Sequence, residues 1–255
     1  MKIIFLTQDD PFYLPTIYSY LIPKLKNNGI EIISTILFDV SPFGVKKSKT
    51  SQLIDTYKTF GLKFTLHYSI IYLKKIFEKN VKKVMSDYEI NTIKLDSNIN
   101  SPKSINLIKS YNADLLVSIA GNQIFKTKLI NSAKFGIINL HSALLPKYRG
   151  LMPSFWVLKN NEKETGVSVF FVDEGIDSGR IITQKKVDIE NKSQKDLIWE
   201  LKFLGADCIV ESCLKIKKYG FKTKTFDNND NEMTYFSRPK RSDVIEFLKL
   251  NKKFF

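Results

Sequence analysis

Two neighbouring polar residues, Asn139 and His141, offer the clearest chemistry in this sequence. His141 is one of only two histidines, and it follows an apolar run over residues 135–140 that is typical of a buried strand. Side chains at positions i and i+2 of a strand point to the same side, so Asn139 and His141 should face one site together. An amide beside an imidazole can hold an oxyanion and move a proton. The other histidine, His67, is predicted to be structural or exposed on a helix.

A carboxylate can join this pair from a later loop. Residues 142–150 are punctuated by Pro and Gly, and residues 171–179 interleave acids with two glycines, so both stretches are predicted to be loops. Asp177 in the second loop completes an Asn, His and Asp set that is a recognisable acid–base arrangement. Two structural alternatives stay open: Asn139 could only hydrogen-bond the edge of its strand, and Asp177 could be an ordinary turn residue.

The elements around these residues alternate between strand and helix. Apolar or β-branched runs predict strands at 2–6, 31–38, 92–95, 114–120, 135–140, 166–172 and 180–187, and helical periodicity predicts helices at 12–28, 51–60, 66–88, 101–111 and 195–219. This order is typical of an α/β protein with a Rossmann-like, mostly parallel sheet, helices on both faces and, here, a short C-terminal appendage. Ligands bind such sheets beyond the carboxyl ends of the strands. Pro23 is expected to kink or split the first helix, and Ser242 to cap a short helix in the tail.

The length and composition indicate a folded globular chain and exclude several classes. Of the 255 residues, 43% are apolar and 26% charged, which is average for globular proteins. No apolar run approaches the roughly 18 residues of a membrane span, and the first residues do not resemble a signal peptide, so we expect a cytoplasmic protein without a membrane partner. Two cysteines and two histidines show no metal-ligand spacing, so no metal is expected.

The net charge of +14 is the feature that suggests an anionic partner. Of the 40 basic residues, 36 are Lys and four are Arg, and they are spread along the chain, which favours a solvated surface over a nucleic-acid interface. A field of this sign still raises the encounter rate with anionic substrates. Residues 46–49 and 238–241 are the basic clusters that could contact phosphate, and solvated loops are the alternative for each.

Three linked motifs resemble those of the folate-dependent formyltransferase family. They are Asn-Leu-His at 139–141, Leu-Leu-Pro-Lys-Tyr-Arg-Gly at 144–150 and Val-Asp-Glu-Gly-Ile-Asp-Ser-Gly at 172–179. The interval of 38 residues between Asn139 and Asp177 also resembles the family's. The likeness is strong over residues 114–190 and weak but collinear over residues 1–113. It implies transfer of a formyl group from 10-formyltetrahydrofolate to an amine.

The chemistry of the three polar residues agrees with this implied reaction. The Asn139 amide can donate to the oxygen on which negative charge develops, and His141 can take the proton that the attacking amine must lose. Asp177 can orient the imidazole and stabilise its charged form. The resemblance further implies that the pterin of the folate lies against the main chain of two loops, which contribute the cofactor-binding residues Ala120, Gly121, Gln123, Phe125, Val172 and Asp173.

The acceptor amine is inferred by elimination among the family's members. Those that act on methionyl-tRNA are longer and carry a C-terminal β-barrel, for which the 68 residues after 187 leave no room beside a long helix. Those that act on glycinamide ribonucleotide carry a Gly-rich phosphate loop after the first strand, whereas residues 7–12 here are acidic and lack Gly. We therefore expect a small amine as acceptor, in first place that of a nucleotide-linked amino sugar.

This interpretation predicts a catalytic domain over residues 1–190, followed by a C-terminal helix and appendage over 191–255 without a tRNA-binding barrel. The tail could close the acceptor site or pair two subunits into a homodimer. Two other functions stay open: a methionyl-tRNA formyltransferase-like enzyme, and a non-catalytic nucleotide- or nucleic-acid-binding protein on the same fold. A dinucleotide-dependent enzyme is disfavoured, because no Gly-x-Gly-x-x-Gly motif follows a predicted strand.

Overall fold

A seven-stranded sheet lies at the centre of the protein. The computed structural model describes residues 1–38, 48–76, 78 and 80–255. The strands are β1 (Lys2–Gln8), β2 (Glu31–Phe38), β3 (Thr92–Lys94), β4 (Leu115–Ile119), β5 (Ile137–His141), β6 (Arg149–Gly150), β7 (Glu164–Phe171), β8 (Ile181–Asp188) and β9 (Tyr235–Phe236). The main sheet has the order β3-β2-β1-β4-β5-β7-β8, and β6 pairs with β9 in a small second sheet. Strands β1 to β5 pair in parallel, whereas β7 is antiparallel to β5 and β8 to β7. The predicted α/β fold with a mostly parallel sheet is confirmed.

Helices connect the strands and cover the sheet. They are α1 (Leu14–Asn27), α2 (Lys49–Phe60), α3 (Leu62–Ile76), α4 (Val81–Asp87), α5 (Pro102–Ser110), α6 (Thr127–Ile130), α7 (Pro153–Lys159), α8 (Gln194–Tyr219) and α9 (Arg241–Lys249). The side chains of Asn80, Ser101 and Ser193 cap α4, α5 and α8, which fixes where each helix begins. Within the described ranges, no helix is both long and apolar enough to cross a lipid bilayer.

The central strands are buried on both faces of the sheet. In β1, Ile3 and Phe5 belong to one apolar cluster, which includes α1 and α8, whereas Ile4 and Leu6 belong to a second cluster, which includes α5. This alternation follows from the period of two in a strand. It explains why the central strands read as continuous apolar runs in the sequence. The buried face of α8 belongs to the first cluster, so this helix shares its core with the strands that precede it.

The predicted single helix over residues 66–88 is wrong, because the structure has two helices there. The first, α3, ends at Ile76, and α4 begins after Asn80. The Asn80 side chain accepts a hydrogen bond from the backbone N–H of Lys83 at 2.8 Å and starts a new helix. Apolar periodicity continues through such a break, so it does not reveal it.

Pro23 does not split the first helix. It lies inside α1, which is one helix from Leu14 to Asn27. Pro has no N–H to donate to the carbonyl of Ser19, four residues earlier. The hydroxyl of Tyr88 donates to that carbonyl oxygen at 3.2 Å instead. A partner from outside the helix therefore satisfies the group that Pro23 leaves free.

The basic clusters are only partly within the described residues. Residues 46 and 47 of the first cluster lie outside them. In the second, Arg241 donates to the carbonyl oxygen of Thr59 at 3.4 Å, and Lys240 is the N-cap of α9, its backbone N–H bonded to Asp243 at 2.8 Å. Ser242 therefore lies inside the first turn of α9, and its predicted capping role is wrong because Asp243 provides the capping carboxylate.

The long helix α8 crosses the end of β5 at a glycine. A Cβ at Gly205 would lie 2.7 Å from a side-chain methyl of Leu140, the residue between Asn139 and His141. We expect Gly205→Val to lower the free energy of unfolding by about 1–3 kcal/mol, because it overpacks this contact. Urea denaturation measures the effect. Lys218→Val, at an exposed position of the same helix, should cost about 0.7 kcal/mol or less from helix propensity alone. An equal effect at both positions would show that the α8–β5 contact is loose.

Candidate active site

Strand β5 places Asn139 and His141 at the centre of the sheet. Asn139 is paired with Ser118 of β4 on one side and Phe170 of β7 on the other, and His141 is the last residue of the strand. Both side chains line one cavity of about 370 Å³. Among the described residues, the Asn139 side chain has no hydrogen-bond partner. The amide is therefore available to a ligand, and the alternative that it bonds the strand edge has no hydrogen bond to support it.

The loop after β7 returns along β5 to bring Asp177 to His141. Because β7 is antiparallel to β5, its end lies at the start of β5, where the backbone N–H of Val172 donates to Ile137 at 2.8 Å. Five residues later, Asp177 Oδ2 lies 3.5 Å from His141 Nδ1, at the other end of the strand. At about 3.3 Å per residue, this loop is long enough to run beside β5 past Asn139.

One hydrogen bond and one nearby carboxylate distinguish the two ring nitrogens of His141. Nε2 lies 2.7 Å from the carbonyl oxygen of Tyr148, and Nδ1 faces the Asp177 carboxylate. A carbonyl oxygen only accepts, so Nε2 carries a proton and donates it to Tyr148. Nδ1 is therefore the nitrogen that can gain or lose a proton next to Asp177. The ring is buried, and these two contacts orient it.

The Asp177 loop is tightly constrained. Asp177 has a left-handed backbone with φ of 49°, and its Oδ2 accepts a hydrogen bond from the backbone N–H of Gly150 at 3.0 Å. Non-glycine residues in this conformation are uncommon and occur where the surrounding structure holds them. Ala120 and Met152, which line the same cavity, share it. Backbone strain thus surrounds the cavity.

All six residues predicted to bind the cofactor line this cavity. Three of their side chains are engaged elsewhere. Gln123 accepts from the backbone N–H of Ile99 at 3.2 Å, Phe125 is buried in the second apolar cluster, and Asp173 accepts from Ser178 at 2.5 Å. These side chains brace the two loops, which turns main chain rather than side chains toward the cavity.

The cavity also has features that a bound pterin would require. Within the described chain, the backbone N–H groups of Gly121, Ile124 and Phe125 donate no hydrogen bond, and the buried hydroxyl of Ser118 has no partner. A Cβ at Gly121 would lie 2.6 Å from that hydroxyl, so a side chain there would fill this corner. A heterocycle with several donors and acceptors fits such a backbone-lined pocket.

Sequence reasoning missed two residues at the side of the cavity nearest β1. Gln8 donates through Nε2 to the carbonyl oxygen of Ala120 at 2.5 Å, and half-buried Lys202 of α8 lines the same cavity. Burial lowers the pKa of Lys202, and the nearby negative charge of Asp10 opposes that shift. The available signal was a single Lys inside the apolar stretch 201–206 of the predicted helix.

The acidic residues after β1 accept hydrogen bonds from backbone N–H groups of this chain. Asp9 accepts from the backbone N–H of Val81 at 3.2 Å, and Asp10 accepts from that of Phe12 at 3.0 Å. Burial raises the pKa of Asp10, while the hydrogen bond from Phe12 opposes the shift.

A larger cavity of about 660 Å³ lies near Pro11 on the outer side of α1 and contains none of the predicted site residues.

Other potentially reactive side chains lie in structural surroundings. His67 stacks on the ring of Phe255 with centroids 3.7 Å apart. Burial raises the pKa of Cys208 and Cys213 to about 12, so both thiols stay protonated at neutral pH. Across the residues that the structure describes, no group of His, Cys, Asp and Glu could hold a metal ion.

Comparison with known proteins agrees with this fold. Residues 72–212 match the Formyl transferase family model. The methionyl-tRNA formyltransferase of Thermodesulfovibrio yellowstonii is 36% identical over 140 residues, which cover 54% of this chain and 44% of that protein. An N-formyltransferase from Helicobacter canadensis, solved with folinic acid and dTDP-3-aminofucose, aligns over 93% of this chain and 71% of its own with a TM-score of 0.60 and 20% identity. Glycinamide ribonucleotide transformylase 1 from Symbiobacterium toebii aligns over 89% of this chain and 94% of its own with a TM-score of 0.62 and 15% identity.

The family match covers more than half of the chain, so the chain belongs to the formyl transferase family. This confirms the family that the three sequence motifs resemble. The solved structures share the fold. The chain spans about half the length of the curated relatives that it matches, since it covers 44% and 54% of the first two.

Gly179 holds the end of the Asp177 loop against β7. A Cβ at this position would lie 1.6 Å from the carbonyl oxygen of Phe171, which is backbone and cannot rotate away. We expect Gly179→Ala to lower the free energy of unfolding by about 1–3 kcal/mol in urea denaturation. At Gly175 in the same loop, a Cβ would meet side-chain atoms of Ser178 and Asp173 and no backbone atom. Gly175→Ala should therefore cost less, and a larger loss at Gly175 would contradict this account of the loop.

Proposed function

We propose that this protein transfers a formyl group from 10-formyltetrahydrofolate to the primary amine of a small substrate. The observation that carries the proposal is the meeting of Asn139, His141 and Asp177 at a cavity lined by all six residues predicted to bind the folate. The unpaired backbone N–H groups and the Ser118 hydroxyl support the placement of the pterin there. Membership of the formyl transferase family supports the reaction.

In this proposal each polar residue has one role. The donor, when bound, supplies a formyl carbon on a nitrogen that leaves after the amine has added to that carbon. The Asn139 amide donates to the formyl oxygen as charge develops on it; one such donor is worth about 10²–10³ in rate. Nδ1 of His141 takes the proton from the attacking amine, because Nε2 is committed to Tyr148. Asp177 stabilises the resulting imidazolium, from which the proton can pass to the leaving nitrogen.

Substitution of the acid–base pair tests these roles. His141→Gln and Asp177→Asn should each lower kcat by about 10²–10⁴, because the proton can no longer be moved or the imidazolium stabilised. The dissociation constant for the folate should change less than threefold, since its proposed contacts are main-chain groups and the Ser118 hydroxyl. Steady-state kinetics and fluorescence titration measure the two quantities.

The matched control is His67→Gln, which changes the other histidine outside the cavity. It should leave kcat within twofold of the wild-type value. A near-wild-type rate in either site variant would remove that residue from the proposed mechanism.

We infer that the acceptor is anionic close to its amine, as in a nucleotide-linked amino sugar. Lys202 supports this, because it lines the cavity and, among the described residues, has no hydrogen-bond or ion-pair partner within 4 Å. A phosphate oxygen beside it would stabilise the ammonium and oppose the lowering of its pKa. The net charge of +14 favours the same class of ligand.

Lys202→Met tests this inference on the acceptor. We expect the KM for an anionic acceptor to rise about tenfold, which corresponds to about 1.4 kcal/mol, with kcat within threefold. For the same amino sugar without its nucleotide, the KM should not change. Lys218→Met, on an exposed turn of α8, is the matched control and should behave as wild type. An unchanged KM for the anionic acceptor in Lys202→Met would exclude this contact.

A tRNA acceptor is the second proposal, because the curated relatives are named methionyl-tRNA formyltransferases. The division into a catalytic domain over 1–190 and a C-terminal appendage over 191–255 also stays a proposal.

Mass spectrometry distinguishes the possible acceptors. The protein is mixed with 10-formyltetrahydrofolate and, in turn, dTDP-, UDP- and GDP-linked amino sugars, charged initiator tRNA and glycinamide ribonucleotide. A formylated sugar would support our first proposal, and formylated tRNA would replace it. Failure to bind the folate at all would overturn formyl transfer itself.

A further inference from the structure

A segment near the end of the chain, residues 225–237, is built into both loops of the candidate active site. Phe226 pairs with Ile181 at the start of β8, and β9 pairs with β6 in the loop after His141. The side chain of Thr234 accepts from the backbone N–H of Tyr148 at 2.8 Å, and the carbonyl of Ser237 accepts from the indole N–H of Trp156 at 3.0 Å. The family match ends at residue 212, so this segment lies outside it.

Within this segment, the Asn228 side chain joins the two loops. Its amide Nδ2 donates to the carbonyl oxygens of Asp177 at 2.8 Å and Gly179 at 3.0 Å. Its Oδ1 accepts from the guanidinium of Arg149 at 3.0 Å, and its backbone carbonyl accepts from the same guanidinium at 3.2 Å. The oxygen of this amide thus binds the loop after His141, and its nitrogen binds the Asp177 loop.

Arg149 provides a rigid anchor for Asn228. Its side chain is only 5% exposed, and its Nη1 pairs with Asp230 of the same segment at 2.7 Å. The next residue, Gly150, donates its N–H to the Asp177 carboxylate at 3.0 Å. Asp177 is therefore held twice from neighbouring positions: by its carboxylate through Gly150, and by its backbone carbonyl through Asn228.

The second attachment matters because Asp177 has a left-handed backbone, which costs free energy for a residue other than glycine and persists where the surrounding structure holds it. Without the Asn228 amide, the carbonyls of Asp177 and Gly179 would lose those partners, and the loop could relax. A small rotation there would move Oδ2 away from His141 Nδ1, from which it is 3.5 Å in the structure.

We propose that Asn228 is a positioning residue for Asp177, and that the segment 225–237 completes the active site. The inference rests on the proposed function, because Asp177 has a role only if His141 transfers a proton. Asn228 itself lines no part of the cavity and acts through the Asp177 loop.

Asn228→Asp and Asn228→Ala test the inference in the full-length chain. Asp keeps the shape and the acceptor for Arg149 but loses the donors to the Asp177 loop. We expect kcat to fall about 10- to 100-fold in both, with the KM for the folate within twofold. Circular dichroism should show each variant fully folded at the assay temperature. Asn231→Asp makes the same change at an exposed position of the same turn and should retain wild-type kcat.

A double-mutant cycle separates positioning from general destabilisation. In the Asp177→Asn background, adding Asn228→Ala should lower kcat by less than threefold, because the group that it positions is already disabled. A full, additive loss in that background would overturn the inference, as would wild-type kcat in Asn228→Ala. If the wild-type protein neither binds the folate nor formylates any acceptor, the proposed function fails first, and that result is distinct from either outcome of the cycle.

Discussion

The approach of the Asp177 carboxylate to His141 is the constraint on which the C-terminal half of the fold depends. Strand β7 is antiparallel to β5, so its end at Phe171 lies at the opposite end of β5 from His141. The chain must turn back and run the length of β5 to bring Asp177 within 3.5 Å of the imidazole. Gly179 allows this loop to pack directly on the β7 backbone. The positive φ at Asp177 is part of the same turn.

In the cavity, side chains of the loops hold the backbone in place, and the backbone faces the ligand. The Gln123 side chain accepts a hydrogen bond from Ile99, and Phe125 packs in the apolar cluster that includes α5. The surface left for a ligand is main chain with a few polar groups. Because main-chain groups are the same for every residue type, such a pocket can survive extensive sequence change provided that the loop geometry is kept. Solved structures with 15–20% identity share this fold.

The sequence predicts what depends on local periodicity. Alternation along the strands determines which residues enter each apolar cluster, and it places Asn139 and His141 on one side. It does not show that helix 66–88 is interrupted, because the break depends on one capping side chain, Asn80. The sequence also does not show that Tyr88 donates to the Ser19 carbonyl, which Pro23 leaves without a partner, because Tyr88 lies 69 residues away from Ser19.

The candidate site is also only partly predictable from local sequence. Its three polar residues belong to motifs that can be recognised, whereas Lys202 and Asn228 belong to none. Each reaches the site through contacts between residues far apart in sequence, with Asn228 51 residues beyond Asp177. Side-chain types alone give little sign of them: one is a lysine in a lysine-rich chain, and the other lies in the polar stretch 227–231.

That separation has a consequence for synthesis of the protein. At about 5–20 residues per second, a ribosome needs several seconds to extend the chain from Asp177 to Asn228. The last strand of the main sheet, β8, is complete at Asp188, and from then until Asn228 is added the β7–β8 loop lacks the amide that joins it to Arg149. Completion of the site is thus a docking event that follows synthesis of the sheet, and a nascent chain stalled between these two residues would contain His141 and Asp177 without the contact that holds them in register.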